Sequence, residues 1–235
     1  MKASSLPPPV SLKVVAFDCD GVLLDSRDAN VRFYSHVLQR FGRGPIRPEQ
    51  VEYIHMHSSR DSLRYLLGDG PASEEAWDYC QEIDFHRFFP YSRLQPGLKP
   101  FLESIKPLYG IALATNRTVS TREVLSYFEL DRYFDVVVSA ADVLHPKPHP
   151  HSMEKIFEAF GAKPEEILYI GDSRVDEDLA RNTGVFFAAY RNESLEAHLH
   201  VEHFSQLHPF LVPGGLRATP TSGDEEGLDL GTRGQ

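Results

Sequence analysis

Residues 14–26 read VVAFDCDGVLLDS: four apolar residues run without alternation into Asp18-Cys19-Asp20-Gly21. An unbroken apolar run of this length predicts a strand buried on both faces, as in a parallel sheet. Gly21 permits a tight turn just beyond it. The turn lets the carboxylates of Asp18 and Asp20 face one ligand. Strand alternation directs Cys19, between them, into the core.

The same pattern recurs along the chain. Apolar runs at 111–114, 136–139 and 167–170 end in or near Thr115-Asn116, Asp142 and Lys147, and Gly171-Asp172. A further run at 185–189 follows the helix-stop pair Thr183-Gly184. Helical patterns fall between these runs at 97–108, 120–129, 150–161 and 174–182. Ser120 with Glu123 fits a capping box, and Pro150 fits a first helical position. Strands alternating with helices predict an α/β doubly wound parallel sheet, with its ligand crevice beyond the carboxyl ends of the strands. Asp18, Thr115, Lys147 and Asp172 all stand at or just after such ends.

The connection from 25 to 95 breaks this rhythm. It is too long for a βα loop, and its helix-like stretches, at 29–41, 48–55, 59–67 and 73–88, predict an all-helical insertion over the crevice. The expected division is a flexible N-terminus (1–12), a core (13–24 and 96–212), a cap (25–95) and a disordered tail (213–235).

The chain of 235 residues is 41% hydrophobic, enough for a core domain with a smaller lid. Its formal net charge of −10 argues against general binding of nucleic acid or anionic membranes, whose phosphates need Lys and Arg. The two cysteines, Cys19 and Cys80, form no Cys-x-x-Cys pair and suit a reducing compartment. The opening residues lack the apolar run of a signal peptide, and no run approaches a membrane span. A cytoplasmic protein, monomeric or a weak homodimer, is expected.

The strand-end residues suggest a chemistry. A carboxylate can attack phosphorus in line, which makes Asp18 the candidate nucleophile. Asp20 would protonate the leaving oxygen and then deprotonate the attacking water. Asp18, a backbone carbonyl near Asp20, and Asp172 offer the oxygen ligands that Mg²⁺ prefers, with Asp176 orienting them from behind. Thr115 and Asn116 offer a hydroxyl and an amide for a substrate phosphate, while Arg117 could face substrate or solvent. Lys147, stiffened by Pro146 and Pro148, would neutralise phosphate oxygens. Alone, each of these segments reads as a turn, a cap or a solvated loop; their coincidence at strand ends is what carries weight. The clustered histidines (His145, His149 and His151; His198, His200 and His203) read as surface residues, not as a zinc site. Aromatic residues such as Phe33, Phe85 and Phe88 read as lid core.

In order and spacing, Asp18-Cys19-Asp20-Gly21-Val22, Thr115, Lys147-Pro148 and Gly171-Asp172 with Asp176 resemble the four motifs of the haloacid dehalogenase-like (HAD) hydrolase superfamily over 13–212. The helical insertion after the first motif is similar to the C1 cap of its phosphoglycolate phosphatase and β-phosphoglucomutase branch. The resemblance implies a Rossmann-like core, Mg²⁺ dependence, an aspartyl-phosphate intermediate and a small phosphorylated substrate. It makes Thr115 and Lys147 the phosphate binders and Asp172 the metal ligand. Val22 stands where many phosphatases have Thr and some mutases have Val; Gly171 stands where β-phosphoglucomutases have Glu. A Mg²⁺-dependent phosphatase is therefore the expectation. A phosphosugar mutase and a non-catalytic binding protein are the alternatives. Cap residues near His57 or Arg60 are expected to set specificity.

Overall fold

The computed structural model describes residues 11–118 and 120–212. The expectations for 1–12 and 213–235 therefore lie outside the described residues, Ser11 and Leu12 excepted. In chain order the chain forms β1 (Val14–Phe17) and β2 (Leu24–Asp25), then the helices α1 (Arg27–Arg40), α2 (Val51–Met56), α3 (Ser59–Leu67) and α4 (Pro71–Glu82). Next come β3 (Arg93–Leu94), α5 (Leu98–Ile105), β4 (Gly110–Ala114), α6 (Thr121–Tyr127), β5 (Val136–Val138), α7 (His151–Phe160) and β6 (Ile167–Gly171). The series ends with α8 (Arg174–Thr183), β7 (Phe186–Tyr190), β8 (Leu199–Val201) and α9 (His208–Leu211).

Six strands form one parallel sheet in the order β5-β4-β1-β6-β7-β8. Alternate residues of each strand feed opposite cores. Val15 and Phe17 pack with Phe101 and Leu102 of α5 and Val124 of α6. Val14 and Ala16 pack with Met153 and Ile156 of α7 and Leu179 of α8. Covering both faces removes the polar side of every inner strand, which explains why the runs in the sequence do not alternate. The chain winds from β1 to β4 and β5 on one side, then crosses to β6 on the other. The topological switch point thus lies beyond the carboxyl end of β1, where Asp18 stands.

Between β2 and β3 the four helices share a separate core that includes Phe33, Val37, Ile54, Leu63 and Cys80. The chain leaves and re-enters the sheet domain through the antiparallel β2–β3 pair, with Leu24 opposite Leu94 and Asp25 opposite Arg93. Among the described residues no helix is long and apolar enough to cross a membrane.

Local details differ from the sequence expectations. The 97–108 helix ends at Ile105, because Pro107 cannot continue it. The 48–55 stretch divides into a 3₁₀ turn (Pro48–Gln50) and α2, and the 73–88 stretch into α4 and two 3₁₀ turns. The 120–129 stretch forms α6 over Thr121–Tyr127 only. The capping box at Ser120 is not formed, because Ser120 Oγ accepts from Arg117 Nη1 at 3.0 Å instead. Pro150 sits at the N-cap of α7, one position before the first helical residue.

Candidate active site

The predicted site residues reach the crevice from strand ends and the loops beyond them, except Asp176, which stands in the first turn of α8. Asp18 follows β1, and its N–H donates to Ile170 O of β6 at 2.9 Å. Lys147 lies in the loop after β5, held at a cis Lys147–Pro148 peptide. The Lys147 side chain is 2% exposed; Nζ lies 2.7 Å from Asp18 Oδ1 and 2.7 Å from Asp176 Oδ1, and donates to Tyr169 OH at 3.0 Å. Asp18, Asp172 and Asp176 each place a carboxylate oxygen within 4.8 Å of the others'.

Asp176 is fully buried and accepts from five donors. These are Lys147 Nζ (2.7 Å), Tyr169 OH (2.6 Å), Ser173 Oγ (2.6 Å) and the N–H groups of Asp172 (3.2 Å) and Ser173 (3.1 Å). So many donors occupy its lone pairs and leave Asp18 and Asp172 as the less committed oxygens of the trio. Burial opposes ionisation of Asp176, but the Lys147 charge and these hydrogen bonds outweigh it and hold its pKa below the ordinary value. Lys147 is likewise opposed by burial, yet Asp176 and Asp18 hold its pKa above the usual lysine range.

Asp18 and Asp172 behave in the opposite way. Burial, only partly offset by Lys147, pushes the Asp18 pKa from 3.8 to about 7. Burial and the charges of Asp176 and Asp18 raise Asp172 well above its ordinary value. Two buried carboxylates and the half-buried Asp172 facing one lysine are short of positive charge, and their all-oxygen donor set suits a hard divalent cation such as Mg²⁺. Gly21, at φ +92°, allows the close packing: a Cβ there would fall inside van der Waals contact of Asp172 Oδ2.

Asp20 turns to the other side of the crevice. It accepts from Arg117 Nε at 3.2 Å, from Arg117 Nη2 at 2.5 Å and from Ser26 Oγ. Burial works against its charge, but Arg117 prevails and holds the carboxyl below the usual range. Towards a cation, Asp20 thus has its main-chain carbonyl to offer. Arg117, open between substrate and solvent from the sequence, is an internal partner with an 11% exposed side chain.

Thr115 Oγ1 accepts from Arg117 N–H at 3.1 Å, so its own hydroxyl proton remains available. The side-chain amide of Asn116 has other duties. It accepts from Lys147 N–H at 2.8 Å and donates to Lys147 O and to Met56 O, both at 3.0 Å. It therefore fastens the lysine loop to the cap. In the cap, His57 lines the crevice. Arg60 does not: it is exposed, pairs with Glu74 at 3.0 Å and lies over the Trp77 ring at 4.7 Å. Asp18, Asp20 and Thr115 from the sheet and Asn30, Tyr34 and His55 from the cap enclose a cavity of about 50 Å³.

Sequence reading missed the contributions of Tyr169, Ser26 and His55. Tyr169 sits inside the apolar run of β6 and looks like any core residue there. Its alternation phase, shared with Ile167 rather than Ile170, was the available signal that it faces the Lys147 side.

The lysine of this crevice is held against carboxylates instead of standing free for a stored anion. That arrangement suits a carboxylate attacking phosphorus, and fold and site together define a hydrolase of the phosphatase class. The chain belongs to the haloacid dehalogenase-like hydrolase family, whose model matches residues 15–190. Pyrophosphatase PpaX of Bacillus cereus (strain AH820) is 29% identical over 181 residues, covering 77% of this chain and 83% of the relative. A HAD-superfamily hydrolase of subfamily IA, variant 1, from Geobacter sulfurreducens PCA is 34% identical with a TM-score of 0.75 and covers 86% of this chain and 100% of that one. A predicted phosphoglycolate phosphatase from Haemophilus somnus 129PT shares the fold at 21% identity, with a TM-score of 0.71 and coverage of 84% and 97%.

Proposed function

We propose that this protein is a Mg²⁺-dependent phosphatase that hydrolyses a small phosphorylated metabolite through an aspartyl-phosphate. The observation that carries this reading is the position of Asp18, paired with Lys147 at 2.7 Å and within 4.8 Å of Asp172, while Asp20 stands apart on Arg117. An Asp18 oxygen attacks phosphorus, and the ester oxygen leaves with a proton from Asp20. Asp20 then takes a proton from water as that water attacks the acyl phosphate, which frees inorganic phosphate and restores Asp18. Thr115 holds a phosphoryl oxygen through its free hydroxyl, and Lys147, bonded to Asp18, Asp176 and Tyr169, contributes its positive charge beside it. A divalent cation held by Asp18, Asp172 and the Asp20 carbonyl would supply Lewis-acid neutralisation of phosphoryl charge.

Arg117 keeps Asp20 ionised in the resting site, so Asp20 takes up a proton from solvent or from the substrate monoester as the guanidinium turns to the substrate's own negative oxygens, and that proton is the one it donates. Hydrolysis is favoured over sugar mutation by Gly171: a Cβ there would collide with the Cβ of Asp176, which leaves no room for the glutamate of the mutases unless Asp176 moves. The pyrophosphatase relative and the phosphoglycolate phosphatase-like fold both make a compact, doubly anionic substrate the first to try.

The direct test is phosphate release from p-nitrophenyl phosphate, pyrophosphate, phosphoglycolate and glucose 1-phosphate, with Mg²⁺ and with EDTA. Release that requires Mg²⁺ is expected. Isomerised sugar phosphate without release would identify a mutase, and silence on every substrate a binding protein.

Asp20→Asn is expected to lower turnover roughly 10²–10⁴-fold, because an amide neither gives nor takes the proton. With p-nitrophenyl phosphate, whose leaving group needs little protonation, the variant should accumulate phosphoenzyme, read as a mass gain of one phosphoryl group after acid quench. Unchanged steady-state turnover would remove Asp20 from the mechanism.

Cation binding should also show in stability. Because Asp18 titrates at about 7 in the fold and near 3.8 when exposed, the folded state binds the extra proton between those values. Stability without metal therefore falls as pH rises through that window. A cation bound beside Asp18 replaces that proton, so added Mg²⁺ should raise the melting temperature more at about pH 8 than at about pH 5.5. Equal shifts at both, by scanning fluorimetry, would separate Asp18 from the metal.

A further inference from the structure

Gly21, at φ +92°, packs against the Asp172 carboxylate. A glycine has wide backbone freedom unless the peptides on either side of it are tied. Both are tied here. The peptide before it gives its N–H to Leu24 O at 2.7 Å. In a trans peptide N–H and C=O point opposite ways, so this bond also fixes the direction of the Asp20 carbonyl. The peptide after it presents Gly21 O, which accepts from Gln95 Nε2 at 2.9 Å. Gln95 is 7% exposed and follows β3, where the cap rejoins the sheet domain. Its main-chain N–H donates to Leu23 O at 2.9 Å, in the same turn.

The Gln95 amide has two ends, and Arg191 decides which one faces Gly21. Arg191 Nη1 donates to Gln95 Oε1 at 3.0 Å. A guanidinium only donates, so the amide oxygen turns to Arg191 and the nitrogen to Gly21 O. The next residue repeats the device on the facing segment. Asn192 Nδ2 donates to Asp172 O at 2.8 Å, while its Oδ1 accepts from Ser194 N–H at 3.1 Å and from Ser194 Oγ at 2.6 Å. Adjacent side chains just past β7 thus hold the main chain at Asp172 directly and at Gly21 through Gln95. The Arg191 backbone is left-handed, at φ +52°, a conformation uncommon for a residue with a Cβ and one that collects at functional sites. Gly21, Gln95, Asp172, Arg191 and Asn192 border one cavity of about 330 Å³.

We propose that Gln95 and Arg191 are positioning residues for the divalent cation, holding the Asp20–Gly21 turn against the Asp172 segment that Asn192 fixes, so that the oxygens of both keep the spacing the ion needs. This rests on the phosphatase reading and goes beyond it by naming residues, away from the carboxylates, that set metal affinity. The sign of the effect is diagnostic. A guanidinium beside a cation site opposes the ion by charge alone, so removing Arg191 would tighten Mg²⁺ if charge were its whole effect, and weaken it if it positions the turn.

The test obtains Kd for Mg²⁺ without substrate, from the rise in melting temperature over a Mg²⁺ series, for the wild type, Gln95→Met, Arg191→Gly and Arg191→Lys. Gln95→Met keeps the length and loses the donor. Arg191→Gly removes the guanidinium but adopts φ +52° readily, so its metal-free melting temperature should hold. Both variants should raise Kd roughly ten- to a hundredfold. Arg191→Lys keeps a donor for Gln95 Oε1 and should raise it less than about threefold. Excess Mg²⁺ should return phosphate release from p-nitrophenyl phosphate to within about threefold of wild type in every variant. An unchanged Kd in Gln95→Met and Arg191→Gly, a tighter one in Arg191→Gly, activity that excess Mg²⁺ does not restore, or a wild type that ignores Mg²⁺ would overturn the assignment. If the wild type releases no phosphate, the phosphatase reading fails separately, and the Mg²⁺ series still decides the role of Gln95 and Arg191.

Discussion

Asp18→Asn should reduce phosphate release by roughly 10⁴-fold or more, the scale on which losing a nucleophile acts in covalent enzymes. The amide is nearly the same size and keeps an oxygen that can accept from Lys147, now at 2.7 Å from the carboxylate. Lys147 also retains its 2.7 Å partner Asp176. The fold should therefore survive. Stability without metal should even hold or rise, because the wild-type carboxylate is a costly charge: burial lifts its pKa to about 7. Between 3.8 and that value the wild type loses stability as pH increases, and the variant, with no proton to release there, should show a flatter profile. The added Mg²⁺ shift should shrink for the same reason. Circular dichroism melts across pH, set beside phosphate-release rates, check all three statements. Wild-type-like turnover would move the nucleophile elsewhere, and collapse of the fold would make position 18 structural first.

How much of this was legible in the sequence follows from where each interaction is encoded. Strand runs are local, and full burial of Val14–Phe17 on both faces leaves an unbroken apolar signature. Asp18, Thr115, Lys147 and Asp172 were readable because a polar residue ending such a run must lie at the sheet's carboxyl edge. Arg117 was not, since its partner Asp20 is 97 residues away and only the assembled sheet brings them together. Asn116 looked like a phosphate ligand because its amide suits one; its real partners, Lys147 and Met56, belong to a loop and a cap helix whose docking no local pattern specifies. The two-residue strands β2 and β3 carry too few residues for any periodicity. Pairing across the inserted helices, not composition, defines them. Arg60 was an error of a related kind: its sequence neighbourhood is right, but α3 turns it outward to Glu74 and Trp77.

Lys147→Met should cause the largest loss of stability at this site. Methionine matches the length of the stem but donates nothing, so Asp176, fully buried, and Asp18, 7% exposed, lose their shared ammonium together. Removing one partner of a buried ion pair costs about 3–5 kcal/mol, because the other charge stays behind without compensation. Four donors remain on Asp176, from Tyr169, Ser173 and the two main-chain N–H groups, which soften the loss at that residue. Asp18 has no such reserve among the side-chain bonds it makes. The direction with pH is fixed by the shifts. In the wild type, Asp176 is held low by Lys147 and contributes stability above its unfolded pKa, which disappears as pH falls through the folded one. In the variant that contribution is gone and both carboxylates titrate higher. The deficit relative to wild type should thus be greatest near neutrality and shrink as acid protonates them. Adding Asp176→Asn should restore part of the stability, since it removes one of the stranded charges, while turnover stays lost because no ammonium faces the phosphoryl oxygens. Urea unfolding of the single and double variants at neutral and acidic pH measures each term. A deficit below about 1 kcal/mol that ignores pH would mean that Lys147 is not the charge on which the buried carboxylates depend.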